Sequence, residues 1–277
     1  MKIHRMPFKY WDDEHTVLIK KSKPPEFADP DFYVEAHFHP PGSDKPFFLN
    51  RRCRKLYDRQ GPFSGRYHDG GELVDRYAGQ DAFIFCPGPS LADVPVEAFK
   101  SKMTMAVNSA GFAMDPTFWV MAESGYARWL IKDQVANIPK DRTIISTGRV
   151  AVCLRDFDEK RKKPLFPWVW VVRWEEEKVV PPRVPAVSVF NALVSAWEMG
   201  CKRAFLLGLD LSKASGPYLD GVPFTKEGAA NPFDDQVLAL SQFKMPRMEV
   251  LNCSPVSKDI LPFQYISHEE VLRDPTF

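Results

Sequence analysis

Hydrophobic residues change their spacing near residue 80 of this 277-residue chain. Beyond that point, short runs rich in β-branched and aromatic residues alternate with stretches in which apolar residues recur every three or four positions. The short runs predict buried strands, and the wider spacing predicts amphipathic helices. Strands are predicted at 83–85, 103–107, 117–122, 142–146, 168–174, 204–207 and 248–251.

The clearest helical pattern begins at Ser188, a candidate N-cap, and ends at Gly200 after an apolar stripe along one face. The predicted strand 204–207 follows at once, and a helix that leads directly into an apolar strand is typical of a mostly parallel sheet. The alternation therefore predicts a three-layer α/β fold with helices on both faces of the sheet. Further helices are predicted at 126–135 and after Ser267, and the charged stretch 156–163 is interpreted as a connection.

Residues 1–78 follow neither spacing. Proline, aspartate and aromatic residues interrupt every apolar run there, so this part is predicted to be an irregular arm with short strands at 16–20 and 32–37. Residues 79–277 are predicted to form the main domain.

The arm carries a basic and aromatic cluster between residues 51 and 66. Six basic residues, among them Arg51, Arg52 and Arg54, are offset only by Asp58 and are interleaved with aromatic side chains. Such a mixture binds a phosphate backbone or stacks on bases. It also suits a solvated arm that packs its rings on the main domain, and both interpretations stay open.

Composition narrows the protein class only slightly. The chain has 44% hydrophobic and 26% charged residues and a formal net charge of +1, so no overall field points to nucleic acid or membrane. The first residues lack the apolar core of a signal peptide, and no apolar run is long enough to cross a bilayer. Five scattered cysteines without a C-x-x-C motif indicate reduced thiols, and a cytoplasmic protein is expected.

Small polar residues follow five of the predicted strands. In a parallel sheet these positions lie outside the carboxyl ends of the strands, where ligands bind. The first of them, the turn Pro87-Gly88-Pro89-Ser90, is predicted to offer unpaired backbone N–H groups to the phosphates of a nucleotide. The five pairs are Gly88 and Ser90, Asn108 and Ser109, Glu123 and Ser124, Asp210 and Ser212, and Asn252 and Ser254.

Three segments together resemble a known group of proteins. They are FIFCPGPSLAD (83–93), AVNSAGFAMDPTFWVMAES (106–124) and SVFNALVSAWEMGCKRAFLLGLDLS (188–212). Their turns and strand ends resemble those of the Rossmann-like superfamily that includes bacterial lipooligosaccharide sialyltransferases and the 6-hydroxymethylpterin diphosphokinase-like proteins. The resemblance covers about residues 80–270, implies a Rossmann-like sheet, and leaves the N-terminal arm unexplained.

The resemblance also implies a set of donor-binding residues. In this sequence Cys86-Pro87 replaces the small residue and Asn that are usual in the group, and Glu123 replaces an Asp. The first turn is therefore expected to differ in shape. The implied donor-binding residues are Gly88, Pro89, Ser90 and Asn108 around the phosphates, with Ser109, Ser188, Asn191 and Gly208 completing the pocket.

The general base is the part of the pattern that this sequence lacks. In the sialyltransferases a His follows the G-x-D strand, but no His occurs here between Asp210 and Gln264. Asp210, Tyr218 and Glu123 are the catalytic candidates, because a carboxylate or phenol can exchange a proton with an acceptor hydroxyl. His37 and His39 of the arm are further candidates.

The expected function is that of a glycosyltransferase which uses a nucleotide-sugar as co-substrate and modifies an acceptor hydroxyl. The acceptor is a glycan, a small alcohol or a polyanion such as DNA that bears hydroxyl groups. One alternative is a Mg²⁺-dependent diphosphokinase that acts on a pterin-like alcohol, with Glu123 and Asp210 holding the metal. The other is a nucleotide-binding module without catalysis. No metal ligand set is predicted for glycosyl transfer, and the chain has no P-loop motif.

Overall fold

The computed structural model describes residues 67–122, 124–139, 141–172, 188–211, 236–237, 240–241, 245 and 247–277. Within these ranges nine strands form a single sheet in which every pair of neighbours is parallel. In chain order the strands are β1 (Tyr67–Asp69), β2 (Asp81–Phe85), β3 (Met103–Val107), β4 (Phe118–Met121), β5 (Thr143–Thr147), β6 (Trp168–Val172), β7 (Arg203–Leu207), β8 (Glu249–Asn252) and β9 (Gln264–Tyr265).

Two neighbouring strands, β2 and β7, lead the chain toward opposite edges of the sheet. Across the sheet the strands lie as β1-β6-β5-β4-β3-β2-β7-β8-β9, so the chain moves outward from β2 to β6 and then returns to β7 on the other side of β2. In open parallel sheets ligands bind outside the carboxyl ends of the strands at such a switch point. The loops that follow β2 and β7 are therefore the expected place for a ligand.

Helices cover both faces of the sheet, as predicted. In chain order they are α1 (Ala110–Ala113), α2 (Ser124–Asp133), α3 (Gly148–Arg161), α4 (Ser188–Glu198) and α5 (His268–Arg273). Because side chains alternate along each strand, Ile145 packs on the face that carries α4, while Ile144 packs on the face that carries α2 and α3. Around β2 this second face is filled by phenylalanine rings and α5.

The predicted strands that start at 83, 103, 117, 142, 168, 204 and 248 are all confirmed, with no described end shifted by more than two residues. Residues 173 and 174 of the predicted strand 168–174 lie outside the described residues. The predicted helix after Ser267 is also confirmed. The Ser267 hydroxyl accepts the Glu270 N–H at 3.2 Å, and the Glu270 carboxylate accepts the Ser267 N–H at 2.9 Å, which forms a capping box.

The interpretation of the charged stretch 156–163 as a connection is wrong. Residues 156–161 of this stretch belong to α3, whose Val150, Ala151 and Leu154 are fully buried against the apolar side of α2. The apolar spacing lies in the first half of the helix and the charges lie in the second half, so the charge run concealed the helix. The chain that follows Gly88 forms two short 3-10 helices, Pro89–Asp93 and Val96–Phe99.

The sheet begins earlier than the predicted boundary between arm and domain. β1 lies within residues 1–78 and pairs with β6, and Leu73 is buried in the core cluster beside α4. The predicted strands at 16–20 and 32–37 lie outside the described residues. In the part of the chain that the structure describes, no helix is both long and apolar enough to span a membrane.

The cysteines differ sharply in their surroundings. Cys86, Cys201 and Cys253 are free and buried, whereas Cys153 on α3 is only half-buried. Burial raises the pKa of Cys201 and of Cys253 to about 12, and burial together with the Asp210 charge raises the pKa of Cys86 still further. At pH 8 these three thiols therefore carry almost no reactive thiolate.

We expect a thiol reagent at pH 8 to modify Cys153 in the native protein and the three buried cysteines only after unfolding. The measurement is mass-spectrometric mapping of the labelled peptides with and without denaturant. A Cys153→Ala variant is the control and should lose the native labelling of that peptide. Fast native labelling of Cys86 or Cys253 would contradict the expectation.

Candidate functional site

The turn after β2 stays bonded to the end of β7. The Cys86 N–H donates to the Leu207 carbonyl at 2.7 Å, and the Gly88 N–H donates to the Gly208 carbonyl at 2.9 Å. A Cβ at Gly88 would lie 2.4 Å from the Gly208 carbonyl oxygen, so only glycine allows this approach. The switch point is thus closed by direct contact between the two backbones.

Ser90 completes the turn through contacts with Asp210, which lies 120 residues further along the chain. The Ser90 N–H donates to Asp210 Oδ2 at 2.8 Å, and the Ser90 hydroxyl donates to Asp210 Oδ1. Both carboxylate oxygens therefore accept from one residue. Ser90 is half-buried, whereas Asp210 is only 2% exposed.

These bonds make the prediction of unpaired N–H groups in this turn wrong. The remaining donor, the Leu91 N–H, bonds to the Gly88 carbonyl at 3.0 Å. Pro87 and Pro89 have no N–H at all. From residue 86 to residue 91 every backbone donor thus has an acceptor within the protein, because a second strand end and a carboxylate lie against the turn.

Asp210 is a buried carboxylate without an ion-pair partner among the described residues. The backbone on either side is unusual, since Gly208 has φ +69° and Leu211 has φ +47°. Non-glycine residues with positive φ are uncommon and concentrate at functional sites. A buried carboxylate at the switch point whose hydrogen bonds, within the described residues, come from a backbone N–H and a hydroxyl is a candidate functional group.

Asn108 holds the corresponding position after β3. Its φ is +48°, a conformation that Asn tolerates better than most residues. Its N–H donates to the Val120 carbonyl at 3.1 Å, and its carbonyl accepts the Trp119 indole N–H at 2.6 Å. These bonds to β4 fix the backbone of Asn108 while its half-buried side chain lies at the carboxyl edge.

The N-terminal end of α4 reaches the same edge. The Ser188 hydroxyl donates to Asn108 Oδ1 at 3.1 Å and accepts the Ala122 N–H at 3.4 Å. The Asn108 oxygen is thereby occupied, and within the described part of the chain its Nδ2 group makes no hydrogen bond. Asn108 therefore has an amide donor that is held in place and available.

The strand end after β8 supports the site and does not line it. The Ser257 hydroxyl donates to the Leu209 carbonyl at 2.7 Å, and Asn252 Nδ2 donates to Ser257 Oγ at 3.2 Å. The Ser254 N–H donates to Asn252 Oδ1 at 2.9 Å, and all three residues are buried. Sequence reasoning missed Ser257, which fixes the loop that carries Asp210; its only local signal is its place just after the Ser254-Pro255 turn.

The predicted site residues thus fall into two adjoining groups and a set that the structure does not describe. Gly88, Pro89, Ser90, Gly208 and Asp210 lie at the β2–β7 switch point, whereas Asn108, Ser109, Ser188 and Asn191 lie at the end of β3 and the start of α4. Ser109 and Asn191 are buried. Tyr218, Glu123, Arg51, Arg52 and Arg54 lie outside the described residues.

Among the described residues, no three His, Cys, Asp or Glu side chains lie close enough together to bind a metal ion. The arrangement instead offers hydrogen-bond donors at Asn108 and an acid–base group at Asp210.

Comparison with family models, with characterised proteins and with solved structures gives no match to this chain.

Proposed function

We propose that the protein binds a nucleotide-sugar at the carboxyl edge of the sheet and transfers its glycosyl group to an acceptor hydroxyl. The observation that carries the proposal is the meeting of Asn108, Ser188 and the start of α4 beside the β2–β7 switch point. Ligands of open parallel sheets bind at this place.

The phosphates of the donor belong at the start of α4 in this proposal, and not at the turn after β2. That turn has no free backbone donor, and the Asp210 charge beside it repels an anion. The first turn of α4 has no acidic residue. The helix is 11 residues long, and its first residue, Ser188, bonds to Asn108, so the positive end of the helix dipole lies beside Asn108.

The chemistry follows from where charge develops. When the glycosyl bond breaks, negative charge builds on the phosphate of the departing nucleotide. The Asn108 amide, which its backbone bonds already hold in place, and the helix dipole stabilise that charge without reorganisation. The acceptor hydroxyl loses its proton as it attacks the sugar.

Diphosphate transfer is the second candidate, and one observation favours it. Asp210 lacks a cationic partner among the described residues, and a Mg²⁺ ion that bridges the phosphates of ATP would supply one. In that case the ligand is ATP with Mg²⁺, and nucleotide-sugars have no effect.

The acceptor and the cytoplasmic location are proposed on sequence grounds alone. Arg51, Arg52 and Arg54 support a polyanionic acceptor such as DNA with hydroxyl groups. DNA binding that falls steeply with salt and weakens in the triple alanine variant is expected. Binding that is absent or independent of salt would remove this acceptor class.

A thermal-shift screen with CMP-, UDP- and GDP-sugars and with ATP plus Mg²⁺ tests the donor. At a ligand concentration near 100 Kd we expect one nucleotide-sugar to raise the Tm by about 5 °C. Asn108→Ala should abolish the shift, because it removes the amide donor. Asn137→Ala, at an exposed turn where the side-chain amide donates to Gln134 Oε1, is the matched control and should keep the shift.

The other outcomes of the screen decide between the candidates. A shift with ATP plus Mg²⁺ alone supports diphosphate transfer. A nucleotide-sugar shift without release of the nucleotide supports the binding module. No shift with any nucleotide, or a shift that survives Asn108→Ala, contradicts the proposed site.

A further inference from the structure

We propose that Ser90 and Asp210 form a proton relay, in which the acceptor hydroxyl binds Ser90 and its proton is transferred, by way of the Ser90 hydroxyl, to Asp210. The inference rests on the proposed function and names the base that glycosyl transfer requires. Glycosyl transfer needs a group that takes the proton of the acceptor hydroxyl, and Asp210 is a carboxylate at this strand end that already accepts the Ser90 hydroxyl proton in a hydrogen bond.

The directions of the hydrogen bonds support the relay. The Ser90 hydroxyl gives its only proton to Asp210 Oδ1, so the lone pairs of Ser90 Oγ are left to accept a proton from a ligand. The Ser90 N–H holds the second carboxylate oxygen at 2.8 Å and thereby fixes the orientation of Asp210. A ligand hydroxyl that donates a hydrogen bond to Ser90 Oγ would therefore be connected to the Asp210 carboxylate through the Ser90 hydroxyl.

Burial distinguishes the roles of the two residues. Asp210 is 2% exposed, whereas Ser90 is half-buried and is the member of the pair that a ligand can touch. Asp210 forms no ion pair with any described residue, so no fixed cation competes for the proton. Ser90 is thus the catalytic residue, and Asp210 is the positioning residue that receives the proton.

One bond forms and one bond breaks at the anomeric carbon during the transfer. The acceptor oxygen forms a bond to the anomeric carbon of the sugar, and the bond from that carbon to the phosphate oxygen breaks with its electron pair on the departing nucleotide. The acceptor proton passes to Ser90 Oγ while the Ser90 proton passes to Asp210. The carboxylate becomes a neutral acid and returns its proton to water after the products leave.

The relay is tested on the full chain with the nucleotide-sugar that gives the largest thermal shift and with water as the acceptor hydroxyl. The readout is release of the nucleotide. Ser90→Ala should lower kcat by about 100-fold or more, the effect of losing a general base, while the KM for the donor and the thermal shift stay within about threefold. Ser90→Thr keeps the hydroxyl and should restore most of kcat.

Asp210→Asn is the second variant, because it keeps the side-chain volume and removes the proton acceptor. It should also lower kcat with an unchanged donor KM. If Ser90→Ala does not fold, this variant alone tests the relay. Unchanged kcat in either folded variant overturns the relay and leaves the donor site standing. A wild-type protein that binds the donor without turnover overturns the relay and glycosyl transfer together, and one that binds no nucleotide-sugar overturns both as well.

Discussion

Gly208→Ala is expected to lower the free energy of unfolding by about 3 kcal/mol, from two separate effects. Gly208 has φ +69°, and a residue with a Cβ loses about 1 kcal/mol or more in this conformation. Its Cβ would also lie 2.4 Å from the Cys86 carbonyl oxygen and 2.9 Å from Leu91 Cβ. Because Cys86 belongs to the turn that holds Ser90, the variant should also lower kcat for glycosyl transfer.

Two glycines separate the conformational effect from the contact. Gly79 has φ +76° with no atom within 4 Å of a Cβ, so Gly79→Ala should cost only about 1 kcal/mol. Gly88 has φ −66° but a Cβ there would meet the Gly208 carbonyl at 2.4 Å, so Gly88→Ala should cost about 2 kcal/mol from crowding alone. Urea unfolding of the three variants measures each term. Equal losses at Gly79 and Gly208 would contradict the close approach at the switch point.

Asp81→Ala should be similarly destabilising, by about 3 kcal/mol, because it leaves a largely buried guanidinium without its partner. Asp81 and Arg203 begin the adjacent strands β2 and β7 and lie opposite each other in register. Arg203 donates through Nε at 2.8 Å and through Nη2 at 2.7 Å to the two oxygens of Asp81. The side chains are only 8% and 16% exposed, and the Asp81 hydrogen bond raises the pKa of Arg203.

The loss should reach the C-terminal segment, since Arg203 also donates to the Thr276 carbonyl at 2.6 Å and lies 4.4 Å from the Phe277 ring centre. Urea unfolding measures the free energy of unfolding. The double variant Asp81→Ala/Arg203→Met should recover part of the stability that Asp81→Ala loses, because neither buried charge then remains. Glu97→Ala breaks an exposed ion pair with Lys100 and is the control, with an expected loss below about 0.5 kcal/mol. Additive losses in the double variant would contradict a direct pairing.

Local sequence patterns were sufficient to predict a strand or helix wherever its apolar spacing is visible within the segment itself. Short apolar runs such as 103–107 predicted strands, and the stripe after Ser188 predicted α4, because burial on a sheet or under a helix imposes a period that neighbouring residues share. The helix after Ser267 also carries a local signal, because its capping box joins residues only three positions apart. α3 was missed because its charged second half outweighed the apolar spacing of Val150, Ala151 and Leu154.

The sequence by itself determined that the chain forms a parallel α/β sheet and that polar residues follow several of its strands. Only the tertiary structure decided how these residues pair: Ser90 with Asp210, and Asn108 with Ser188. The physical reason is that a hydrogen-bond donor takes the acceptor which packing brings nearest, here one that lies 120 or 80 residues away. The turn after β2 therefore has the composition of a phosphate loop, but the carboxylate of Asp210 already accepts the Ser90 N–H.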